Sequence, residues 1–221
     1  MPLNIAKGNM YGFVTHTWNP VKGICPHNCK YCYMRKWWPQ MSAPRLDLDE
    51  IRRGGHGNGN IIFVGSGIDL FAPTINGVCT QESINACIYD NTYFFQSKNP
   101  GGFEYYNFPA NTILCTTIET NRYYAEIMGT CPRPQNRYHN FLSLKTNCKK
   151  MVTIEPVLDF DLTIMFDWMV KINPIQINIG ADSGNNHLPE PSKEKLVTFI
   201  NLLKEHGLNV FLKPNLNRII K

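Results

Sequence analysis

Short runs of β-branched and aromatic residues recur along the whole chain, separated by segments of helical or loop character. The strand candidates are Met10–Thr15, Ile61–Gly65, Thr92–Gln96, Thr112–Ile118, Met151–Ile154, Ile175–Ile179 and Asn209–Leu212. Several are continuous apolar runs, as expected of parallel strands buried on both faces. Helical periodicity predicts helices over Gln81–Tyr89, Asn121–Met128, Gln135–Leu144, Leu162–Lys171 and Ser192–Glu205. The last carries start and stop signals, Pro191-Ser192 before it and Gly207 after it. Strands alternating with helices predict an α/β fold on a parallel sheet, and six or seven such units fall short of an eightfold barrel.

The chemistry of the chain is concentrated in Cys25-Pro-His-Asn-Cys29-Lys-Tyr-Cys32. Three thiolates on one short loop can hold three irons of a cubane cluster and leave the fourth iron without a protein ligand. Zinc held by these cysteines and His27 is the competing reading, although zinc sites favour closely spaced C-x2-C pairs and the wider gap comes first here. A disulfide framework is disfavoured, because 221 residues can build a core without staples.

The formal charge is +5, and it is unevenly placed. Residues 1–53 hold eight Lys and Arg against three acids, whereas the remaining residues balance at fourteen against fourteen. The excess therefore surrounds the cysteine loop. It reads either as a mouth for an anionic partner such as nucleic acid, or as a solvated basic surface that offsets the charge of a cluster. A second basic stretch, with Arg133, Arg137, Lys145, Lys149 and Lys150, contains no acid and includes Tyr138 and His139. Basic groups beside rings can track a phosphate backbone and stack bases, and an exposed amphipathic helix has the same composition. No apolar run approaches a membrane span and no charged-then-apolar leader opens the chain, so a reducing cytoplasm is the expected location. Residues 54–60, with four glycines in seven positions, are expected to form a flexible spacer before the second strand.

C-x3-C-x2-C with an aromatic before the last cysteine, here Tyr31, resembles the signature of radical S-adenosylmethionine (SAM) enzymes. The resemblance implies a partial (β/α)6-type TIM barrel of parallel strands forming one domain over residues 1–221, with a cluster loop over 16–40 after the first strand. It implies a [4Fe-4S] cluster on Cys25, Cys29 and Cys32, with SAM on the fourth iron and Tyr31 near the adenine. An electron donor such as flavodoxin or ferredoxin is the implied partner. The blocks Thr17-Trp18-Asn19-Pro20, Phe95-Gln96, Glu155-Pro156, Gly180-Ala181-Asp182-Ser183-Gly184 and Phe211-Leu212-Lys213 are similar to a phage-associated radical SAM family of unknown function. They are more distantly similar to the spore photoproduct lyases, which repair a thymine dimer in DNA. If phage-encoded, the chain works in the host cytoplasm.

Ligands of βα folds gather at the carboxyl ends of the strands. Taken with the resemblance, this rule makes Ser66, Gly67 and Asp69 the implied candidates for the amino group of SAM, Lys98 for its carboxylate, and Glu119, Glu155, Asp182 and Ser183 toward ribose or substrate. Each is also read as a helix cap or turn residue. Cys131 and Cys148 are candidate hydrogen donors, with burial as small hydrophobes the alternative. Trp37, Trp38, Arg133, Arg137 and Lys213 are candidates for substrate contact. The resemblance implies hydrogen abstraction from a nucleotide or DNA base, with modification or rearrangement of thymidine-derived phage DNA as the expected case. A peptide- or small-molecule-modifying radical SAM enzyme and a non-catalytic zinc module binding nucleic acid are the alternatives.

Overall fold

The computed structural model describes residues 3–221; Met1 and Pro2, on which the expectation about a leader falls, lie outside the described residues. One eight-stranded sheet runs through the chain in the order β1 (Asn4–Ile5), β2 (His16–Trp18), β5 (Ile61–Val64), β6 (Thr92–Ser97), β7 (Thr112–Thr117), β8 (Lys149–Ile154), β9 (Gln176–Ile179), β10 (Val210–Leu212). β1 pairs antiparallel with β2, and every other pair is parallel. β1 and β10 lie at the two edges, so the sheet does not close. A small hairpin of β3 (Val21–Lys22) and β4 (Arg45–Leu46) brackets the cysteine loop.

Helices α1 (Leu48–Arg53), α2 (Gly77–Asn85), α3 (Ala125–Met128), α4 (Pro134–Ser143), α5 (Leu162–Ile172), α6 (Lys193–Glu205) and α7 (Asn217–Ile220) link or follow the strands. The main core includes outward strand residues such as Ile62, Val64, Phe95, Leu114, Val152 and Ile177, with Phe141, Met165, Trp168 and Phe199 from the helices. α6 follows its sequence signals: the Ser192 hydroxyl accepts from the Lys195 amide, and Gly207 takes a positive φ just beyond the helix. Among the described residues, no helix is long and apolar enough to cross a membrane.

The structure corrects several expected boundaries. Met10–Thr15 is not the first strand of the parallel series; that strand is β2, His16–Trp18. Met10, Tyr11, Phe13 and Val14 instead pack in a second core with Phe63, Phe94, Cys115 and Met151, the inward residues of β5 to β8. The aromatic run is apolar because it plugs the inner face of the sheet: the Tyr11 and Phe13 rings stack at 5.5 Å, and both meet the Phe94 ring edge-on. The helix expected over Asn121–Met128 shrinks to α3, because Asn121 bonds Asp161 and Arg122 pairs with Asp159 and Asp161 before the helix begins. α2 starts earlier than expected, at the Asn76 cap, whose side chain accepts from the Val78 amide at 2.9 Å. Residues 54–60 are more than a spacer, because His56 is buried against the Trp18 ring at 4.4 Å and near Tyr89.

Candidate active site at the strand ends

The cysteine loop lies over the carboxyl ends of β5, β6 and β7, where residues that follow these strands reach it. Asp69, after β5, is the main tether. Its Oδ2 accepts from His27 Nε2 at 2.7 Å, from the Ser97 hydroxyl at 3.0 Å and from the Lys98 amide at 2.8 Å, while Oδ1 accepts from the Phe71 amide at 3.0 Å. Burial alone would raise this carboxyl; the charge and hydrogen bond of His27 lead the groups that hold it below its ordinary value. One carboxylate thus fixes the middle of the loop to the ends of two strands. This corrects the expectation that Asp69 receives the amino group of a ligand, because its oxygens are already committed.

The other side of the loop is stitched to residues 127–131. The Lys30 amide donates to the Ile127 carbonyl, the Thr130 amide to the His27 carbonyl, and the Thr130 hydroxyl to the Pro26 carbonyl, each at 2.8 Å. Gly129 sits at the crossing with a positive φ, and a Cβ there would lie 2.2 Å from the His27 carbonyl oxygen. Only glycine allows two backbones to approach this closely.

Beneath the loop is a buried charged cluster. Glu119, after β7, is fully buried and accepts from the Tyr31 hydroxyl and from Arg137 Nη1 at 2.5 Å, with Lys98 Nζ 4.0 Å away. Burial opposes the Glu119 charge, but Arg137 and then Lys98 hold the carboxyl below its ordinary range. Arg137 also donates to the carbonyls of Pro132 and Thr117. It is fully buried, which removes it from the expected substrate contacts. Glu119 is likewise closed to a ligand. Lys98 differs: its side chain retains 19% exposure, with Nζ 5.2 Å over the Tyr31 ring.

The three loop cysteines and Cys131 are free thiols. Cys29 Sγ lies 3.3 Å from Cys131 Sγ. A hydrogen bond from Cys131, offset in part by burial and aided by Lys98, brings the Cys29 thiol down to about 6. Burial, then the Asp69 charge, pushes Cys25 up to about 12, and burial raises Cys32. Thiolates are the metal ligands, so iron binding here releases protons. Three thiols on one braced loop fit the donor set of a cluster. Among the described residues, no three His, Cys, Asp or Glu side chains converge as a single-ion site requires. His27 directs Nε2 to Asp69, which takes that nitrogen out of a Cys3His zinc set.

A second polar group lies across the mouth. Lys213 Nζ pairs with Glu155 at 2.8 Å and donates to the Asn9 carbonyl, over the Tyr11 ring. Asn9 Nδ2 donates to Glu155 and to Ser183, each at 3.0 Å, and Asn215 bonds Ser183 from the other side. Gly180 allows this packing, since a Cβ there would stand 2.8 Å from the Glu155 carboxyl carbon. Lys213 is buried and paired, which corrects its expected role in direct substrate contact. Asp182 caps its own loop through the amides of Gly184 and Asn186. With Ser183, it lines an open cleft of about 480 Å³ that also includes His187, Glu190 and Arg218. Between the two polar groups, Tyr11, Gln96 and Thr117 form a hydrogen-bonded chain.

The remaining candidates separate by place. Ser66 and the Gly67 amide bond the Asn19 side chain, and the Ser66 carbonyl accepts from Tyr33. Cys131 is buried against Cys29, whereas Cys148 precedes β8, at the end of the sheet opposite the cysteine loop. Trp37 is 42% exposed, with the Lys36 ammonium 4.1 Å from its ring centre. Arg35 stacks on Trp38 and Arg133 on Tyr123. Sequence reasoning missed Asn9, Tyr11 and the bracing role of His27. Asn9 precedes the expected strand, Tyr11 was read as part of it, and only His27 lay inside a conspicuous motif.

No protein-family model matches the chain, and no curated protein sequence matches it. Solved structures do. A spore photoproduct lyase variant with bound AdoMet and the dinucleoside spore photoproduct superposes with a TM-score of 0.64 at 10% identity, over 94% of this chain and 78% of that one. A second spore photoproduct lyase variant, with the dinucleoside spore photoproduct, gives 0.66 at 10% identity over 95% and 80%. Streptococcus suis SuiB bound to S-adenosylmethionine gives 0.60 at 10% identity over 89% and 49%. The chain has the mixed α/β fold with an open, mostly parallel sheet that these radical SAM enzymes share.

Proposed function

We propose that this protein is a radical SAM enzyme acting on a nucleotide or DNA base. The observation that carries the reading is the placement of Cys25, Cys29 and Cys32 on one braced loop over the strand ends of this fold. Cys25, Cys29 and Cys32 would hold a [4Fe-4S] cluster and leave one iron free for SAM. When bound, cluster and SAM supply the reductive cleavage that generates a carbon radical able to abstract hydrogen.

The residues of the chain position this chemistry. Asp69 and His27 keep the loop at the strand ends, and Gly129 lets residues 127–131 lock its other side. Lys98, partly open beside Tyr31, offers an ammonium to the carboxylate of SAM. The plug of Met10, Tyr11, Phe13 and Val14 fills the inner face of the sheet with apolar side chains. The electron comes from an external donor of flavodoxin or ferredoxin type.

Two observations support a nucleic-acid substrate. The likeness to spore photoproduct lyase carrying a dinucleoside photoproduct supports the class. On this chain, the 3-10 helix Tyr33–Gln40 that follows the cysteines interleaves exposed rings with cations, and Arg133 on Tyr123 repeats the pairing. Rings stack bases of any sequence, and the cations meet phosphates.

The test is anaerobic reconstitution with iron and sulfide. Brown protein with a reducible cluster, releasing 5′-deoxyadenosine from SAM, is expected, and Cys29→Ala abolishes colour and cleavage. Colourless protein with a single zinc and no SAM cleavage overturns the reading. Deuterium-labelled nucleosides and short DNA then identify the substrate by label entering 5′-deoxyadenosine; transfer from none of them overturns the substrate class.

A further inference from the structure

Cys131 lies outside the cysteine motif, yet its Sγ is 3.3 Å from that of Cys29, and both residues are buried. The approach is enforced by the fold. The Lys30–Ile127 and Thr130–His27 backbone bonds flank the pair, and Gly129 permits the crossing. A disulfide needs the sulfurs at roughly 2.0 Å, so the gap to close is about 1.3 Å, within reach of a small side-chain rotation.

We propose that Cys29 and Cys131 form a redox pair in the cluster-free chain, in which Cys131 resolves oxidised Cys29 as a disulfide and so preserves it as a metal ligand. The oxidant is a peroxide. The Cys29 thiolate attacks hydrogen peroxide, the O–O bond breaks and hydroxide leaves, giving a sulfenic acid on Cys29. The Cys131 sulfur then attacks the Cys29 sulfur. The S–O bond breaks, and the departing hydroxide takes the Cys131 proton as water. The first hydroxide is neutralised by the proton that Cys29 released on ionising. Two electrons pass from the thiols to the peroxide, and two waters form. A cellular thiol reductant reverses the link by disulfide exchange. The link itself is independent of the proposed function; only its consequence for cluster assembly rests on that reading.

The experiment treats cluster-free, full-length protein with hydrogen peroxide and maps its peptides without reduction. A Cys29–Cys131 cross-link is expected as the main product. Iron uptake on reconstitution should fall at least fivefold and recover fully after dithiothreitol. In Cys131→Ser and Cys131→Ala, each checked for folding by thermal melting, the cross-link disappears. Cys29 then advances to the sulfinic acid at the same dose, and dithiothreitol no longer restores iron uptake. A main link from Cys29 to Cys25 or Cys32 overturns the proposal, as does Cys131 remaining a free thiol while Cys29 oxidises. Full recovery of iron uptake in both variants overturns it as well. If the cross-link forms but reduced protein takes up no iron, the thiol pair stands and the cluster assignment falls.

Discussion

Asp69 holds His27 at 2.7 Å, and the same carboxylate oxygen accepts from Ser97 and from the Lys98 amide. The loop that carries the three cysteines is therefore tied to the ends of two strands through one buried side chain. Mobility in the loop is suppressed where ligand geometry matters most.

Asp69→Asn removes that charge while keeping the shape of the side chain. Hydrogen bonds to a charged group contribute about 1.5–3 kcal/mol, and a loss in that range is expected in urea denaturation. Iron bound after reconstitution should fall as well, because the loop loses its tether. Unchanged stability together with full iron content would show that the backbone stitching to residues 127–131 suffices.

Arg137→Met leaves Glu119 charged and buried without its main partner. Breaking a buried pair from one side costs about 3–5 kcal/mol. Adding Glu119→Gln should return part of that loss, since the uncompensated charge goes with it. A double-mutant cycle measured by denaturation checks the coupling.

His56 sets a pH dependence. Burial lowers its ring below the ordinary 6.5, and neither ring nitrogen has a hydrogen-bond partner. Between the lowered folded value and 6.5, the unfolded chain binds the proton more readily than the folded chain. Stability is thus full above about pH 6.5 and falls as pH drops through that window. In His56→Phe, thermal melts recorded between pH 7.5 and 5 should show a smaller decline than in the unaltered chain, with equal or higher stability at pH 7.5.

Trp37→Ala tests the basic, aromatic rim. A surface change of this kind should alter stability by no more than about 0.5 kcal/mol. Stacking is worth about 1–3 kcal/mol per base, so affinity for short single-stranded DNA should fall about tenfold. Lys36→Ala should instead reduce the slope of affinity against salt by about one phosphate contact. Fluorescence anisotropy over a salt series separates the two effects.

The parallel sheet was legible because buried parallel strands must be apolar on both faces, and the runs from Ile61 to Leu212 carry that mark locally. The cysteine motif was legible because its three ligands fall within eight consecutive residues. The Met10–Val14 plug was misread, since an apolar aromatic run satisfies the requirements of a strand and of an inner core equally well. Only the inward residues Phe63, Phe94, Cys115 and Met151 decide between them.

The candidate site divides along the same line. Residue types and strand-end positions alone selected Asp69, Lys98, Glu119, Glu155 and Lys213. Which of them are spent on one another depended on contacts between distant segments: Asp69 on His27, Glu119 on Arg137, Lys213 on Glu155 and Asn9. A buried charge must be paired, and its partner is set by which strand ends lie side by side. The sequence by itself determined the α/β alternation and the three-thiol loop, because both are written in local spacing. Tertiary structure decided the bracing of that loop, the closure of Arg137 and Lys213 to ligands, and the meeting of Cys29 with Cys131, because pairing across the sheet has no local signature.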